Sequence, residues 1–391
     1  MDASAESRSA SVHDARIVRV EWGRFVGRRP RAAGSNARLG AHGDVVRLPL
    51  VRLTADNGVT GFGAGEPSPE LATRLLGVRV DDVFAPSHGV RAPWLPVEYA
   101  VWDLVGKQAG QPVYALAAGI VGRPVAHPYH VPCYDTSLYF DDLYLDSERE
   151  AAALIAAEAR EGYARGQRAF KIKVGRGARH LAIKDGTRRD IAVIQAVREA
   201  VGPACAVMMD ANNGYTLNLA KRVLAATAAC NLYWIEEAFH EDDILYQDLR
   251  RWLERQGLRV LIADGEGDAS PRLLKWARRG VIDIVQYDIM GHGLTRWLET
   301  GRQLDAWGNR SAPHHYGTWY GNYAACHLAA AIGGFEYVEW DEASMPGVEA
   351  RGYRVADGHV AVPDAPGFGL ILDEEAFLHA VGAGGFTRAL P

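Results

Sequence analysis

From residue 125 onward the chain alternates short apolar runs with helical segments, and this alternation restricts the fold more than any other feature of the sequence. The runs fall at 127–134, 169–174, 206–210, 232–236, 260–266, 283–288, 310–314 and 337–340. Helical periodicity fills the gaps, for example at 148–164, 188–200, 217–228 and 294–306. Eight such alternations predict an α/β fold with a parallel barrel. With 391 residues, the chain has room for a barrel of about 250 residues and a smaller partner domain.

The first 120 or so residues read differently. Residues 15–22 alternate in polarity, 45–54 form an apolar-rich strand, and Asp56-Asn57-Gly58 turns the chain into a third strand over 59–63. An Arg/Gly-rich stretch at 27–43 is long for a structureless connection, which predicts a lid or a disordered loop. A helical pattern over 97–116 ends at Ala118-Gly119, completing an α+β domain. The expected organisation is a disordered Ser/Ala-rich tail at 1–15, an α+β capping domain at 16–124 joined by 355–391, and the barrel at 125–354. The Pro/Gly-rich stretch 363–369 is expected to fold back on the first domain or to close the bottom of the barrel.

Composition narrows the function classes. Hydrophobic residues make up 48% and charged residues 23%, with a net charge of −5 of mixed sign, as in a globular protein with a large core. No basic run or aromatic-basic stripe points to nucleic acid, and no apolar stretch has the length of a membrane span. The four cysteines (133, 205, 230 and 326) are scattered and form no CxxC, so a reduced, cytoplasmic protein is expected. Ten tryptophans and sixteen tyrosines offer interface material, consistent with a homo-oligomer.

The chemistry lies at the strand ends. Lys171 and Lys173 lie on the second run; Asp210, Glu236, Glu266 and Asp288 end the third to sixth; His314 ends the seventh, and Glu339 is near the end of the eighth. In a parallel barrel these ends converge on one cavity, and packing does not explain charged groups there. Each acid alone reads as readily as a helix cap. Three converging carboxylates repel, however, and a hard divalent cation removes that cost, so Asp210, Glu236 and Glu266 predict Mg²⁺. Lys171-Ile172-Lys173 puts two ammonium groups on one strand face. Beside a metal and another cation, such a lysine is expected to have a lowered pKa and to act as a base. Asp288 beside His314 can fix an imidazole tautomer, although His315 is an equal candidate. Glu339 can bond a developing anionic oxygen if it is protonated or shared with a lysine. Together these groups suit removal of the proton next to a small-molecule carboxylate, with a cation and donors holding the resulting dianion.

The ordered series Lys171-Ile172-Lys173, Met209-Asp210-Ala211-Asn212, Trp234-Ile235-Glu236-Glu237, Ile262-Ala263-Asp264-Gly265-Glu266, Val285-Gln286-Tyr287-Asp288 and Ala312-Pro313-His314 resembles the enolase superfamily, in its mandelate racemase-like subgroup. The hairpin 56–63 and the segment 101–107 resemble that family's capping domain. The resemblance implies a modified TIM barrel of the (β/α)7β type with an N-terminal cap. It further implies Mg²⁺ on Asp210, Glu236 and Glu266, Lys173 as one base, and a His314–Asp288 dyad as acid or base opposite. Lys171 and Glu339 would touch the substrate carboxylate, Asn212 would lie near the metal, and the cap loop after Arg24 would choose the substrate. The chain departs from the family in a longer segment at 175–188, in Ala238 after Glu237, and in Tyr287, the last two at positions where proline is common.

With bases on both faces, one enolate has two fates. Expulsion of a β-hydroxyl is dehydration, the commoner outcome within the resemblance, on an aldonate or aldarate to give a 2-keto-3-deoxy acid. Re-protonation on the other face is racemisation or epimerisation, the second reading. A non-catalytic binding protein ranks last, because no strand-end group is lost. Tyr139, His240, Tyr316 and Trp319 are further polar-contact candidates, equally readable as rim or packing residues.

Overall fold

The computed structural model describes residues 15–391. The expected tail lies outside the described residues except for Ala15, which is buried and accepts a hydrogen bond from Val80 N at 2.8 Å. All eight barrel runs are strands: His130–Leu138, Ala169–Lys173, Ala206–Asp210, Trp234–Glu236, Leu261–Asp264, Ile284–Val285, Arg310–Ser311 and Val338–Trp340. The first seven pair in sequence order, all parallel, and the eighth pairs parallel with the first. A parallel bridge between Ser311 and Phe335 closes the ring. Helices follow strands one to seven, whereas the eighth leads into short strands, giving the (β/α)7β arrangement.

Side-chain alternation along each strand sorts the two faces. Phe170, Ile172, Val207, Met209, Ile235, Ile262 and Val285 point outward into the core shared with the surrounding helices. Tyr134, Ala169, Met208, Trp234, Ala263, Ile284 and Ala312 point inward and fill the barrel as a separate apolar floor. Polar groups on the inward face therefore begin only one step above that floor.

The cap combines both ends of the chain. Its sheet runs Phe386–Ala389, Ile17–Ala33, Gly43–Ala55, Thr60–Ala64, antiparallel throughout. The stretch 27–43 is not one long loop: 27–33 continues the first strand, and only 34–42 turns across the barrel mouth. Paired backbone groups there leave no need for an irregular segment. The helical pattern at 97–116 divides into Glu98–Ala109 and Val113–Val121. Gly110 takes a left-handed cap at φ +65° and Pro112 has no N–H to continue the ladder. Residues 363–369 fold back on these cap helices, where Gly367 O accepts from Val113 N at 2.9 Å and Asp103 Oδ1 accepts from Phe368 N at 2.9 Å. All four cysteines are buried and unpaired, and among the described residues no helix is long and apolar enough to cross a membrane.

Two junctions carry tests. A Cβ on Gly61 would lie 2.3 Å from Leu104 N, because the cap strand rests directly on the helix backbone. Gly61→Ala is expected to lower stability by about 1–3 kcal/mol, read by thermal and urea unfolding. At the seam between cap and barrel, Glu98 is buried and accepts from Thr295 N at 3.0 Å. Burial pushes its carboxyl from 4.5 up to about 7. The folded state thus binds this proton more tightly than the unfolded chain does, so the contribution of Glu98 is intact below about 4.5 and lost as pH rises toward 7. Scanning calorimetry should find Glu98→Gln gaining on wild type from pH 5 to pH 8; a gap that stays constant with pH contradicts the assignment.

Candidate active site

Two residues above each floor residue the inward face turns polar. Tyr134 is followed on the same face by Thr136, Ala169 by Lys171 and Lys173, Met208 by Asp210, Trp234 by Glu236, Ile284 by Gln286, and Ala312 by His314. Tyr337, packed against the floor, is followed by Glu339. The fifth strand breaks the period. Asp264 points outward to the Tyr246 hydroxyl, and Gly265, at φ +130°, lets Glu266 enter the mouth one residue late.

Asp210, Glu236 and Glu266 come together, each offering one oxygen within 4.8 Å of the others. Lys171 Nζ lies 2.7 Å from Glu236 Oε1, 3.2 Å from Glu339 Oε1 and 3.5 Å from Asp210 Oδ2, while Lys173 bonds Asp210 Oδ2. Glu236 Oε2 accepts from Trp234 Nε1 at 3.0 Å and Gln286 Nε2 at 2.9 Å. Asn212 Nδ2 bridges Glu237 Oε2 at 2.9 Å and Glu266 Oε1 at 3.1 Å. Asn212, Asn213 and Glu237 take left-handed conformations at φ +41°, +60° and +42°, so these strand-end turns hold strained backbone at the site.

The charges are out of balance in a way that suits a dication. Burial, with crowding by Asp210 and Glu266, pushes Glu236 up to about 7 against the pull of Lys171. Burial and the carboxylates of Glu266 and Asp210 push Glu237 up to about 10. Glu266 Oε2 and Asn212 Oδ1 are buried oxygens without a hydrogen bond. An all-oxygen set with unfilled acceptors fits Mg²⁺ on Asp210, Glu236 and Glu266.

The surrounding carboxylates hold both lysines in their charged form. Burial opposes their charge, but Glu236 and Glu339 hold Lys171 well above its ordinary value and Asp210 holds Lys173 above its own. The expected lowering of Lys173 invoked a bound metal as well as the neighbouring cation; between the protein's own groups, the carboxylate of Asp210 outweighs Lys171. Glu339 is ionised: although burial favours its neutral form, Lys171, His314 and His315 hold it well below the usual carboxylate range. It accepts from Thr136 Oγ1 at 2.7 Å, His315 N at 2.7 Å and Tyr316 N at 2.9 Å, and so acts as the partner of Lys171, not as a proton donor.

Geometry distinguishes the two histidines. His314 Nδ1 bonds Asp288 Oδ1, and Asp288 Oδ2 accepts from Gly267 N at 2.8 Å. His314 Nε2 faces the mouth, 3.3 Å from Glu266 Oε2 and 3.8 Å from Glu339 Oε2. Burial lowers its pKa, but Glu266, Glu339 and Asp288 outweigh burial and bring it up to about 10. His315 turns away to the Glu339 carbonyl.

The cap turn 34–42 lies over this mouth. Arg29, just before it, grips Asp341 with Nε at 3.0 Å and Nη2 at 2.7 Å. His42 packs edge-on to Tyr139 at 4.8 Å and reaches Tyr316 at 5.9 Å, and Lys173 Nζ sits 5.2 Å from the Tyr139 ring. Of the further contact candidates, Tyr139 and Tyr316 line the mouth, Trp319 is buried with Nε1 donating to Ala343 O at 2.9 Å, and His240 is exposed on the rim. Thr136, Gln286 and His42 were not singled out from the sequence. Period two above the floor would have found the first two, whereas only tertiary packing places His42.

A family model described as enolase C-terminal domain-like matches residues 154–376. A galacturonate dehydratase from Geobacillus sp., solved with D-galacturonate and 5-keto-4-deoxy-D-galacturonate, is 47% identical with a TM-score of 0.92, over 96% of this chain and 100% of that one. A mandelate racemase/muconate lactonizing protein from Geobacillus sp. Y412MC10, solved with magnesium/tartrate, is 48% identical with a TM-score of 0.94, over 97% and 98%. The arabinonate dehydratase of Saccharolobus solfataricus is 27% identical over 290 residues, 72% of this chain and 70% of the relative.

The donor set makes a direct prediction. Calorimetric titration with Mg²⁺ should show binding that Glu266→Gln or Asp210→Asn weakens by at least about tenfold, while Glu375→Gln on the exposed cap helix leaves it unchanged.

Proposed function

We propose that this chain, which belongs to the enolase C-terminal domain-like family, is a Mg²⁺-dependent acid-sugar dehydratase that removes the proton beside a substrate carboxylate and expels the hydroxyl on the next carbon. The observation that carries the reading is the pairing, around one group of three carboxylates, of Lys173 on the second strand with a His314–Asp288 dyad after the seventh. Mg²⁺ held by Asp210, Glu236 and Glu266 would act as a Lewis acid, stabilising the negative charge that gathers on the substrate carboxylate.

The residues of the chain supply the remaining functions. Lys171, fixed by Glu339, meets the substrate carboxylate. Lys173, as the neutral amine it would become with Asp210 committed to the cation, takes the α-proton. The electrons of that C–H bond form the enolate double bond, which then expels the β-hydroxyl as its C–O bond breaks. His314, oriented by Asp288, delivers a proton from Nε2, so the group leaves as water. The resulting enol tautomerises to a ketone. The apolar floor below and the 34–42 turn above keep water from the reacting carbons.

Among acid sugars, a uronate is the favoured substrate, supported by the 47% identity to the Geobacillus enzyme solved with D-galacturonate and its 5-keto-4-deoxy product. In that substrate C5 carries the α-proton and C4 the leaving hydroxyl, so the ketone forms at C5. This moves the choice from the aldonates and aldarates expected from the sequence to the neighbouring class. The second reading, racemisation or epimerisation, keeps the same enolate and returns a proton on the opposite face; bases on both sides of the mouth favour it. The same proposal takes the protein to be a cytoplasmic homo-oligomer, with four buried, unpaired cysteines supporting the reducing compartment.

Incubation with Mg²⁺ and a panel of uronic, aldonic and aldaric acids, assayed for keto-deoxy products, tests the choice. D-galacturonate should give the 5-keto-4-deoxy acid, and Lys173→Ala or His314→Asn should lower kcat by about 100-fold or more. Epimerised acid with no keto product would establish the second reading instead.

A further inference from the structure

The long segment after the paired lysines has a buried purpose. Arg176, the third residue beyond Lys173, has no solvent exposure. Its Nε bonds both oxygens of Asp142 at 3.1 Å, its Nη2 bonds Asp142 Oδ1 at 2.7 Å, and its Nη1 bonds Asp190 Oδ1 at 2.8 Å and the carbonyl of Lys173 at 3.3 Å. The guanidinium also lies 4.3 Å from the centre of the Phe140 ring. Asp142 and Asp190 are themselves fully buried.

Each partner belongs to a different part of the mouth. Asp142 follows Tyr139 in the turn after the first barrel strand. Asp190 Oδ2 accepts from Gly175 N at 2.8 Å and from the Tyr215 hydroxyl at 2.8 Å; Tyr215 stands three residues past Asn212. The next residues of the segment grip the cap turn: His180 Nε2 meets Asn36 O at 2.8 Å and Arg179 Nη1 donates to Arg38 O at 2.6 Å. A buried ionic cluster is a poor source of stability, because desolvation offsets most of its attraction and apolar packing would serve as well. What a planar guanidinium fork supplies instead is direction, since its five donors fix the relative placement of every group they reach.

We propose that Arg176 is a positioning residue for Lys173: it registers the end of the second barrel strand against the turns after the first and third, and so holds Lys173 Nζ at the α-proton of the substrate. This rests on the two-base reading given above. The two faces of the enolate provide a readout that general loosening of the fold would not reproduce. Deuterium uptake from D₂O into D-galacturonate and into its C5 epimer reports the two bases separately, and the Lys173-facing substrate is the one whose exchange is lost in Lys173→Ala. Arg176→Met should slow that exchange by about 100-fold, the cost of a misplaced reacting group, with the His314-facing exchange and KM within about threefold of wild type. Arg176→Lys and Asp190→Asn, milder changes that keep more of the cluster, should slow the same face by a smaller factor. Equal losses on both faces, or no loss, overturn the proposal. If wild type exchanges neither substrate, His314 serves only as the acid of the dehydration, and a crystal structure of Arg176→Lys decides the inference: Lys173 Nζ withdrawn from Asp210 supports it, and an unmoved Lys173 overturns it.

Discussion

Asp210, Glu236, Glu266 and Glu339 share the barrel mouth with two lysines and an imidazole, all buried except Glu266 and His314, which are partly exposed at its opening. In that setting each charge is tolerable only because another stands beside it. Lys171 lies within 3.5 Å of three carboxylates and is the hub of the arrangement. Glu339 stays ionised largely on its account, whereas Glu236 is still pushed up to about 7 despite the same ammonium. The remaining acidic excess gathers around Glu236, Glu237 and Glu266, beside the buried Asn212 Oδ1 that has no hydrogen bond. Metal affinity and base placement are therefore two aspects of one electrostatic arrangement.

The scaffold that makes this arrangement possible is the apolar plug below it. Tyr134, Met208, Trp234 and Ile284 exclude water from the lower barrel, and the next inward position on each strand carries a polar group. Trp234 serves both layers: its ring packs in the floor while Nε1 donates to Glu236. Side chains two residues apart thus change from core to chemistry without any break in the backbone.

Most of this is legible in the sequence because a strand that breaks its apolar character at one end announces itself. Lys171, Lys173, Asp210 and Glu236 are readable from position alone, and their inward direction follows from period two; His314 is separated from His315 only by its contact with Asp288. Glu266 reads as an acid near a strand end, but its place depends on Gly265, whose left-handed turn shifts the register by one. Thr136 and Gln286 escape notice because uncharged polar residues do not stand out in an apolar run. The continuous helix expected over 97–116 fails at Gly110 and Pro112, where a local stop signal outweighs periodicity. The 27–43 stretch looks irregular because its arginines resemble loop composition, yet Arg29 and Arg31 find carboxylates on the barrel. Such pairings, with Arg29 and Asp341 312 positions apart, are invisible to any local pattern.

The cap sheet has a kinetic consequence. Its first strand, Ile17–Ala33, lies between the second strand and Phe386–Ala389, so one of its edges has no partner until Phe386–Ala389, beyond the whole barrel in sequence, arrives. During synthesis the barrel strands and their helices can emerge and collapse in order, each next to its predecessor, while that edge stays open to solvent and to other chains. Closure of the cap sheet therefore waits on Phe386–Ala389, and a chain lacking that strand would carry a formed barrel under an open sheet edge.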